Sequence, residues 1–302
     1  MNRVPAKLSE RRMQAHRHRP IWLLLALMTL GRAVVLAQSW TTIDCPDSFA
    51  TEARSINDRG DIVGICEDAN GVHGFLLRRG VFTLIDHPDA AGPTAAFGIN
   101  NRGDVAGRYV GEDTLHGYLL RRGSFTSVEP PDSQFTVARG IDDAGRVVGF
   151  YVNSNDQLVH GFLRDARGYR DIDFPGADGT GAFGISVTRI VGAYGDQDNF
   201  YHGFVLNNGV YTSIDVPGAV GTRAFGVNVQ GDVVGGWSTD PDCIDCFTHA
   251  FLLTRRGVLQ ELAFPGALET VANGINALGQ VVGSYVAEDG SLHGFVRDGG
   301  DD

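Results

Sequence analysis

Six of the seven histidines that follow residue 38 occupy one position of a recurring tripeptide, His-Gly-Phe or a close variant. They are His73, His116, His160, His202, His249 and His293, at spacings of 43, 44, 42, 47 and 44 residues. A shared metal site would need these side chains to converge, whereas a position that returns in every unit fits a local structural role. We therefore expect each imidazole to stabilise its own unit through a hydrogen bond. A hairpin aspartate is the candidate partner in three units, Asp61, Asp104 and Asp232, but Arg146, Arg189 and Gln280 replace it in the others. No metal ligand and no catalytic residue is predicted.

A second set of polar residues is acidic and stands two positions before a repeated proline. The prolines are Pro46, Pro88, Pro131, Pro175, Pro217 and Pro265. The acidic residues are Asp44, Asp86, Glu129, Asp173 and Asp215, with Ala263 as the exception. One interpretation is a ring of carboxylates that binds a cation such as Ca²⁺. We favour a local interpretation, in which each carboxylate accepts backbone N–H groups in the turn before proline, and no cofactor is predicted.

Four cysteines follow residue 38: Cys45, Cys66, Cys243 and Cys246. An even number suits two disulfides in an oxidising compartment, although four cysteines allow three pairings. Cys66 stands where the other units have an aromatic residue, namely Tyr109, Tyr151, Tyr194, Trp237 and Tyr285. A bond from Cys66 to Cys45 would replace that lost packing. We predict Cys45–Cys66, and a loop disulfide Cys243–Cys246 in preference to a zinc or redox pair.

The elements that must position these residues are short β-strands. Each unit contains four patterns in order, of the types Phe-Thr-x-Ile-Asp, Ala-x-Gly-Ile-Asn, Val-Val-Gly-x-Tyr and His-Gly-Phe-Leu-Leu. β-Branched and aromatic residues fill these patterns, and Gly, Asn, Asp and Pro separate them, as in strands joined by turns. Four strands in about 44 residues is the blade length of a β-propeller. We predict an all-β, six-bladed β-propeller built from six four-stranded repeats, as one domain over residues 38–302.

The two ends of the repeat array predict how the propeller closes. The array begins with a strand of the first type, Trp40–Asp44, and ends with one of the fourth type, His293–Val296. If each blade takes its outer strand from the following unit, the last blade lacks one strand. The N-terminal segment can supply it and leave no open edge. We therefore predict closure by the N-terminal strand.

Charge excludes several classes of function. The chain from residue 38 onwards holds 18 arginines, no lysine and 35 acidic residues, a net charge of −17. Such an acidic body repels phosphate backbones, which disfavours nucleic acid as a partner. The absence of lysine excludes Schiff-base chemistry and a phosphate-binding loop lysine there. Nucleophile-elbow, zinc-protease, EF-hand and dinucleotide-binding motifs are also absent from the sequence.

Residues 1–37 have the pattern of a signal peptide. A basic segment with Arg11, Arg12, Arg17 and Arg19 precedes the apolar run Ile21–Leu30, and Val35-Leu36-Ala37 offers small residues at a cleavage site. A membrane anchor is the alternative, but a span needs about 20 apolar residues and Arg32 would interrupt it. We predict cleavage after Ala37 and a secreted or periplasmic mature protein with no membrane association.

The units resemble the HAF-type extracellular repeat family of bacteria, named for a His-Ala-Phe signature. The tripeptide stands once as His249-Ala-Phe and otherwise as His-Gly-Phe or His-Gly-Tyr, and Gly-Ile-Asn and Val-Val-Gly also match. The resemblance covers roughly residues 40–297 and implies export and a β-rich repeat fold. It transfers no catalytic residue.

The loops before the fourth strand of each unit are polar and differ in length, and repeat proteins place recognition in such loops. The segment Ser238–Cys246 is the most individual of them. We interpret the chain as an exported binding or interaction scaffold, with a protein or carbohydrate ligand at the propeller face. The alternative is a propeller enzyme (a hydrolase, lyase or lactonase) that uses axis-facing carboxylates and a divalent cation.

Overall fold

The computed structural model describes residues 39–198, 200–240 and 247–299. The predicted signal peptide (residues 1–37), Cys243, Cys246 and the C-terminal residues 300–302 lie outside the described residues. Within those described, no helix has the length and apolar character needed to cross a membrane.

The described chain begins with one strand that precedes the first meander, and a four-stranded antiparallel meander then repeats along the chain. The first strand and the first two meanders are β1 (Trp40–Ile43), β2 (Ala50–Ile56), β3 (Ile62–Asp68), β4 (Gly71–Arg78), β5 (Val81–Ile85), β6 (Thr94–Ile99), β7 (Val105–Val110), β8 (Leu115–Arg121) and β9 (Ser124–Ser127). The next two are β10 (Ser133–Ile141), β11 (Val147–Asn153), β12 (Val159–Asp165), β13 (Gly168–Asp171), β14 (Gly179–Ser186), β15 (Arg189–Gly195), β16 (Tyr201–Asn207) and β17 (Val210–Ile214). The last strands are β18 (Gly221–Val227), β19 (Val233–Ser238), β20 (His249–Leu253), β21 (Leu259–Leu262), β22 (Glu269–Ile275), β23 (Val281–Val286) and β24 (Leu292–Arg297).

The N-terminal strand completes the last meander, as predicted. β1 pairs antiparallel with β24, with Trp40 opposite Arg297 and Ile43 opposite Gly294. The expectation of six separate four-stranded sheets is not met, because the described strands form four four-stranded sheets and one eight-stranded sheet. The eight-stranded sheet arises because a single parallel bridge, Ala50 to Leu292, joins β2 to β24.

The sheets are arranged as a β-propeller. The innermost strands β2, β6, β10, β14, β18 and β22 contact one another in sequence, and β22 contacts β2. Side-chain amides at the ends of these strands bridge neighbouring sheets around the central axis. Asn57 Nδ2 donates to Asn100 O at 3.0 Å, and Asn276 Nδ2 donates to Asn57 O at 3.1 Å. The first and last meanders of the chain are therefore neighbours around the axis.

The repeated glycine of Val-Val-Gly lies against the repeated aromatic residue of His-Gly-Phe on the neighbouring strand. The aromatic side chains Phe75, Tyr118, Phe162, Phe204, Phe251 and Phe295 are fully buried between sheets. Gly149 lies opposite Phe162 in the β11–β12 pair. A Cβ on Gly149 would lie 2.7 Å from the Phe162 ring, closer than van der Waals contact allows. The ring therefore packs on bare backbone, and glycine is required there.

Candidate functional site

The six repeated histidines each bond a carboxylate, but not the one expected. In every case Nδ1 donates to an acidic side chain at the end of the outermost strand of the same sheet. The pairs are His73–Asp86 (2.7 Å), His116–Glu129 (2.6 Å), His160–Asp173 (2.9 Å), His202–Asp215 (2.6 Å), His249–Glu261 (3.1 Å) and His293–Asp44 (2.8 Å). The structure thus joins the two residue sets that the sequence presents separately, and Glu261 acts where Ala263 breaks the acidic pattern.

The hairpin aspartates predicted as histidine partners lie at the other end of the sheets, so that prediction is wrong. Asp61 instead accepts a hydrogen bond from Asn57 and pairs with Arg78 at 3.0 Å. Among the residues that the structure describes, Asp44, Asp86, Glu129, Asp173 and Asp215 each bond a different histidine, so they form neither the cation ring weighed in the sequence analysis nor the favoured contacts with backbone N–H groups of the turn. No group of three or more His, Cys, Asp or Glu side chains is placed to hold a metal ion within the described residues.

A second acceptor faces the other ring nitrogen of most of these histidines. His116 Nε2 is 3.0 Å from Asp113, His160 Nε2 is 3.2 Å from Asp156, and His202 Nε2 is 3.1 Å from Asp196. Burial opposes the charged form of His160, but the hydrogen bonds to Asp173 and Asp156 and their charges outweigh it and raise its pKa. The balance is the same for His116 and His202, whose pKa values are also raised. We call this end of the sheets the histidine side.

The disulfide Cys45–Cys66 is present, with Cα atoms 6.2 Å apart, which confirms the prediction. In other units the same two positions hold stacked rings, for example Phe174 on Tyr194 with centroids 3.7 Å apart. His87–Tyr109 and Phe264–Tyr285 stack at the same distance. Cys45 follows β1, which pairs with β24 of the last meander, and Cys66 lies on β3 of the first meander. The disulfide therefore links the last meander to the first.

The repeated prolines begin the turns that lead from one sheet to the next. They are Pro46, Pro88, Pro131, Pro175, Pro217 and Pro265, each the first residue of a two-residue turn. In most units the residue before the proline donates its N–H to a threonine hydroxyl on the following strand, as Phe174 does to Thr180 at 3.0 Å. Pro130 has no N–H to donate, and the matching Thr136 hydroxyl is buried without a hydrogen-bond partner.

A β-bulge in every innermost strand turns one residue toward the central axis. The strand register skips one residue at Ala53/Ser55, Ala96/Gly98, Ala138/Gly140, Ala182/Gly184, Ala224/Gly226 and Ala272/Gly274. A bulge of this kind re-aims a side chain. The skipped residues, which we call the axial ring, are Arg54, Phe97, Arg139, Phe183, Phe225 and Asn273.

Neighbouring members of the axial ring contact one another. The Arg139 guanidinium lies 4.5 Å from the centroid of Phe97 and 5.1 Å from that of Phe183. Arg54 lies 5.8 Å from the same Phe97 ring, and the Phe183 and Phe225 centroids are 5.7 Å apart. Asn273 is buried and donates from Nδ2 to Ala53 O at 3.0 Å, so the contacts continue from the last innermost strand to the first.

Two cavities open above the axial ring on the histidine side and share Arg139 and Phe150. One has a volume of about 550 Å³, with walls that include Phe135 and Val137. The other has a volume of about 600 Å³ and extends to Asp196, the partner of His202. We call them together the axial funnel. Both volumes lie in the usual range for small-molecule sites.

Positive charge exceeds negative charge around Arg139. Burial lowers the pKa of Arg139 to about 9, and the charges of Arg54, Arg223 and Arg108 add to that effect. Burial and the charge of Arg54 also lower the pKa of Arg108. Glu52 pairs with Arg54 at 2.6 Å and is the acidic residue that opposes the shift of Arg139. No carboxylate forms a salt bridge with Arg108 or Arg139 among the described residues, and guanidinium groups of this kind favour an anion.

Several donors in the axial funnel have no acceptor on the protein. Arg54 Nε is buried without a hydrogen-bond partner, and so is Asn273 Oδ1 on the acceptor side. Among the described residues, the guanidinium groups of Arg108 and Arg139 donate no hydrogen bond. Buried polar groups are normally paired with protein or water, so the unpaired donor of Arg54 beside the first cavity can bond water or a ligand that enters it.

The axial ring is not evident from the repeat pattern of the sequence. Its residues are the variable member of the otherwise repeated Ala-x-Gly-Ile-Asn strand, for instance Ala138-Arg139-Gly140-Ile141. The change from arginine to phenylalanine to asparagine within a repeated strand pattern singles out this position in the sequence. The direction of its side chain is not predictable, because the alternation of a regular strand does not indicate a bulge.

Comparison with known proteins supports the fold class. No protein-family model and no curated protein matches the chain. Among solved structures, AofleA from Arthrobotrys oligospora is similar with a TM-score of 0.55 and 11% identity, covering 86% of each chain. The gluconolactonase XC5397 from Xanthomonas campestris is similar with a TM-score of 0.52 and 12% identity, covering 87% of this chain and 90% of that one.

A third similar structure is the SapL1 lectin in complex with alpha methyl fucoside, with a TM-score of 0.52 and 11% identity, covering 79% of this chain and 88% of that one. At such identities the likeness concerns the fold alone. The chain is an all-β propeller, and the same architecture carries both a lectin and a lactonase.

Proposed function

We propose that this protein is an exported six-bladed propeller that binds a small ligand in the axial funnel. The count of six treats the eight-stranded sheet as two blades, β2–β5 and β22–β24 with β1, because only the Ala50–Leu292 bridge connects them. The predicted signal peptide and the resemblance to HAF-type repeats support export, and the Cys45–Cys66 disulfide suits an oxidising compartment.

The observation that carries the binding proposal is the axial ring. Alanine precedes the ring position in all six units and glycine follows it in five, while the position itself holds arginine, phenylalanine or asparagine. A ring that only had to close the propeller would not need two arginines whose charges repel each other. Placing them beneath two cavities gives them a partner that the protein lacks.

The enzyme alternative requires carboxylates and a divalent cation at the axis. The five carboxylates that a cation ring would use stand at the ends of the outermost strands, where each is bonded by a histidine. The acidic side chain nearest the axial ring, Glu52, is paired with Arg54. Since the similar structures include a lectin and a gluconolactonase, the fold does not choose between the two functions, and the side chains at the axis favour binding.

A substitution that fills the axial funnel tests this proposal. Ala193 lines the funnel at the position that holds Phe150 in the third unit, so Ala193→Phe adds a ring that the fold already accepts elsewhere. Val210→Phe, at an exposed position of β17, is the matched control. The wild-type protein and both variants are screened by calorimetry against sugars, amino acids, organic acids and lactones.

We expect at least one compound to bind the wild-type protein and the Val210→Phe variant but not Ala193→Phe. Binding that Ala193→Phe leaves unchanged would place the ligand outside the funnel and overturn the proposal. Turnover of a lactone or sugar that depends on an added divalent cation would replace it with the enzyme alternative.

A further inference from the structure

We propose that the axial funnel recognises an organic carboxylate with an apolar, ring-sized body. This inference rests on the proposed binding function and specifies its ligand. The body of the ligand would lie against the aromatic walls, and its carboxylate would face Arg139 and Arg54.

The charge of the site points to an anion. The chain from residue 38 onwards has a net charge of −17, yet the charges of Arg54, Arg108 and Arg223 all act against the charged form of Arg139. Their repulsion is relieved when a negative group enters. Arg54 Nε, buried and without a hydrogen-bond partner, provides a donor for it.

The geometry of Arg139 points to a carboxylate. Its guanidinium carbon lies 4.5 Å from the centroid of Phe97 and 5.1 Å from that of Phe183. Aromatic rings accept no conventional hydrogen bond from its N–H groups, and the fork of those groups matches the two oxygens of a carboxylate. Neither Arg139 nor Arg108 uses these donors within the described part of the chain.

The walls define the rest of the ligand. Phe135, Val137 and Phe150 line the first cavity, and Phe183 and Phe225 line the second. The hydroxyl groups of a neutral sugar would find no partner against these apolar side chains, and leaving them unpaired is costly. A polyanion would meet the acidic rim at Asp178 and Asp196. A small anion with an apolar body fits both constraints.

Probes that differ in one property test this inference. Benzoate, 1-naphthoate and hexanoate supply the carboxylate, 1-naphthamide is the neutral counterpart of 1-naphthoate, and phenyl phosphate and glucuronate represent other anions. Binding is measured by calorimetry to the full chain, at ligand concentrations up to about 10 mM so that millimolar affinities are detected.

The variant Arg139→Phe introduces the residue found at three other positions of the axial ring, so it is expected to fold. Arg170→Phe, on the outermost strand β13, is the matched control. Because a hydrogen bond to a charged group contributes about 1.5–3 kcal/mol, we expect Arg139→Phe to weaken naphthoate binding by about 10- to 100-fold and Arg170→Phe to leave it unchanged. The amide should bind at least about tenfold more weakly than naphthoate.

Equal binding of naphthoate and naphthamide, tighter binding of phenyl phosphate or glucuronate, or no binding of any apolar carboxylate would overturn the inference. A different ligand that Ala193→Phe excludes and Arg139→Phe does not affect would overturn the carboxylate inference while supporting the proposed function. Carboxylate binding that Ala193→Phe leaves intact would overturn both.

Discussion

Arg139 is the position at which we expect a single substitution to stabilise the fold. Arg139→Phe removes one charge from the axial ring and adds the side chain that Phe97, Phe183 and Phe225 already provide. The same bulge turns residue 139 and the phenylalanines toward the axis, so the backbone at residue 139 has a conformation that accepts phenylalanine in other units. The change should therefore remove charge repulsion without disturbing the sheet.

The size of the effect follows from the pKa of Arg139, which burial and the neighbouring arginines lower from 12.5 to about 9. Since a tenfold change in proton affinity corresponds to about 1.36 kcal/mol, the folded state disfavours the charged side chain by on the order of 5 kcal/mol. Arginine is charged in both the folded and unfolded chain at neutral pH, so this cost opposes folding there in full. Water in the half-exposed funnel screens part of it, which leaves about 2 kcal/mol, or roughly 4–8 °C in Tm.

Thermal unfolding followed by circular dichroism measures the change, with Arg170→Phe as the control for adding an exposed aromatic ring. The reverse substitution, Phe97→Arg, would place a third arginine between Arg54 and Arg139 and should lower Tm by at least as much. An unchanged or lower Tm for Arg139→Phe, with the control unaffected, would show that the ring charges are already compensated and would refute the reasoning.

Three further predictions concern the repeated contacts. Thr180→Val should lower the free energy of unfolding by about 1–2 kcal/mol by leaving a backbone N–H without its acceptor, whereas Thr136→Val should be neutral, and equal losses in denaturant titrations would contradict this. Reduction of the disulfide should destabilise the wild-type protein by about 3 kcal/mol. The double variant Cys45→Phe with Cys66→Tyr restores a stacked pair of rings and should not respond to reductant. Equal sensitivity of both Tm values to reductant would contradict this prediction. Histidines with raised pKa values, such as His160, stabilise the fold below about pH 6.5 and lose that contribution as pH rises through the raised pKa. Its partner Asp156 has a lowered pKa and contributes to stability above about pH 4. Tm should therefore be higher near pH 5.5 than near pH 8.5, and a Tm that does not change with pH would exclude this role.

Most of the fold was predictable because it repeats. The turn residues and the alternating strands predict the meander, and the out-of-phase ends predict the pairing of β1 with β24. The replacement of an aromatic residue by Cys66 predicts the disulfide, since covalent bonding and ring stacking serve the same contact. The sequence predicts six separate sheets, but one backbone bridge, Ala50 to Leu292, joins the first and last meanders into a single sheet. No residue type indicates such a bridge.

The histidine partners show where pattern and geometry diverge. The carboxylate lies 13 residues after the histidine in four units, for example His73 and Asp86, and this constant separation was present in the sequence. It was overlooked because the histidine belongs to the fourth strand of one unit and the carboxylate to the first strand of the next. Those two strands form a hairpin in one sheet, which brings the residues together.

The axial ring separates the structural from the functional content of the repeat. Phenylalanine at three ring positions shows that an uncharged residue satisfies the fold there, and Asn273 shows that a small polar one does so as well. Packing therefore does not require arginine at positions 54 and 139, and the lowered pKa of Arg139 shows that the charge is costly to keep. A side chain that is both unnecessary and costly for the fold needs a reason outside it, since stability is commonly given up at sites of function. The axial funnel supplies that reason, because it offers an anion the charge and the donors that the protein itself leaves unused.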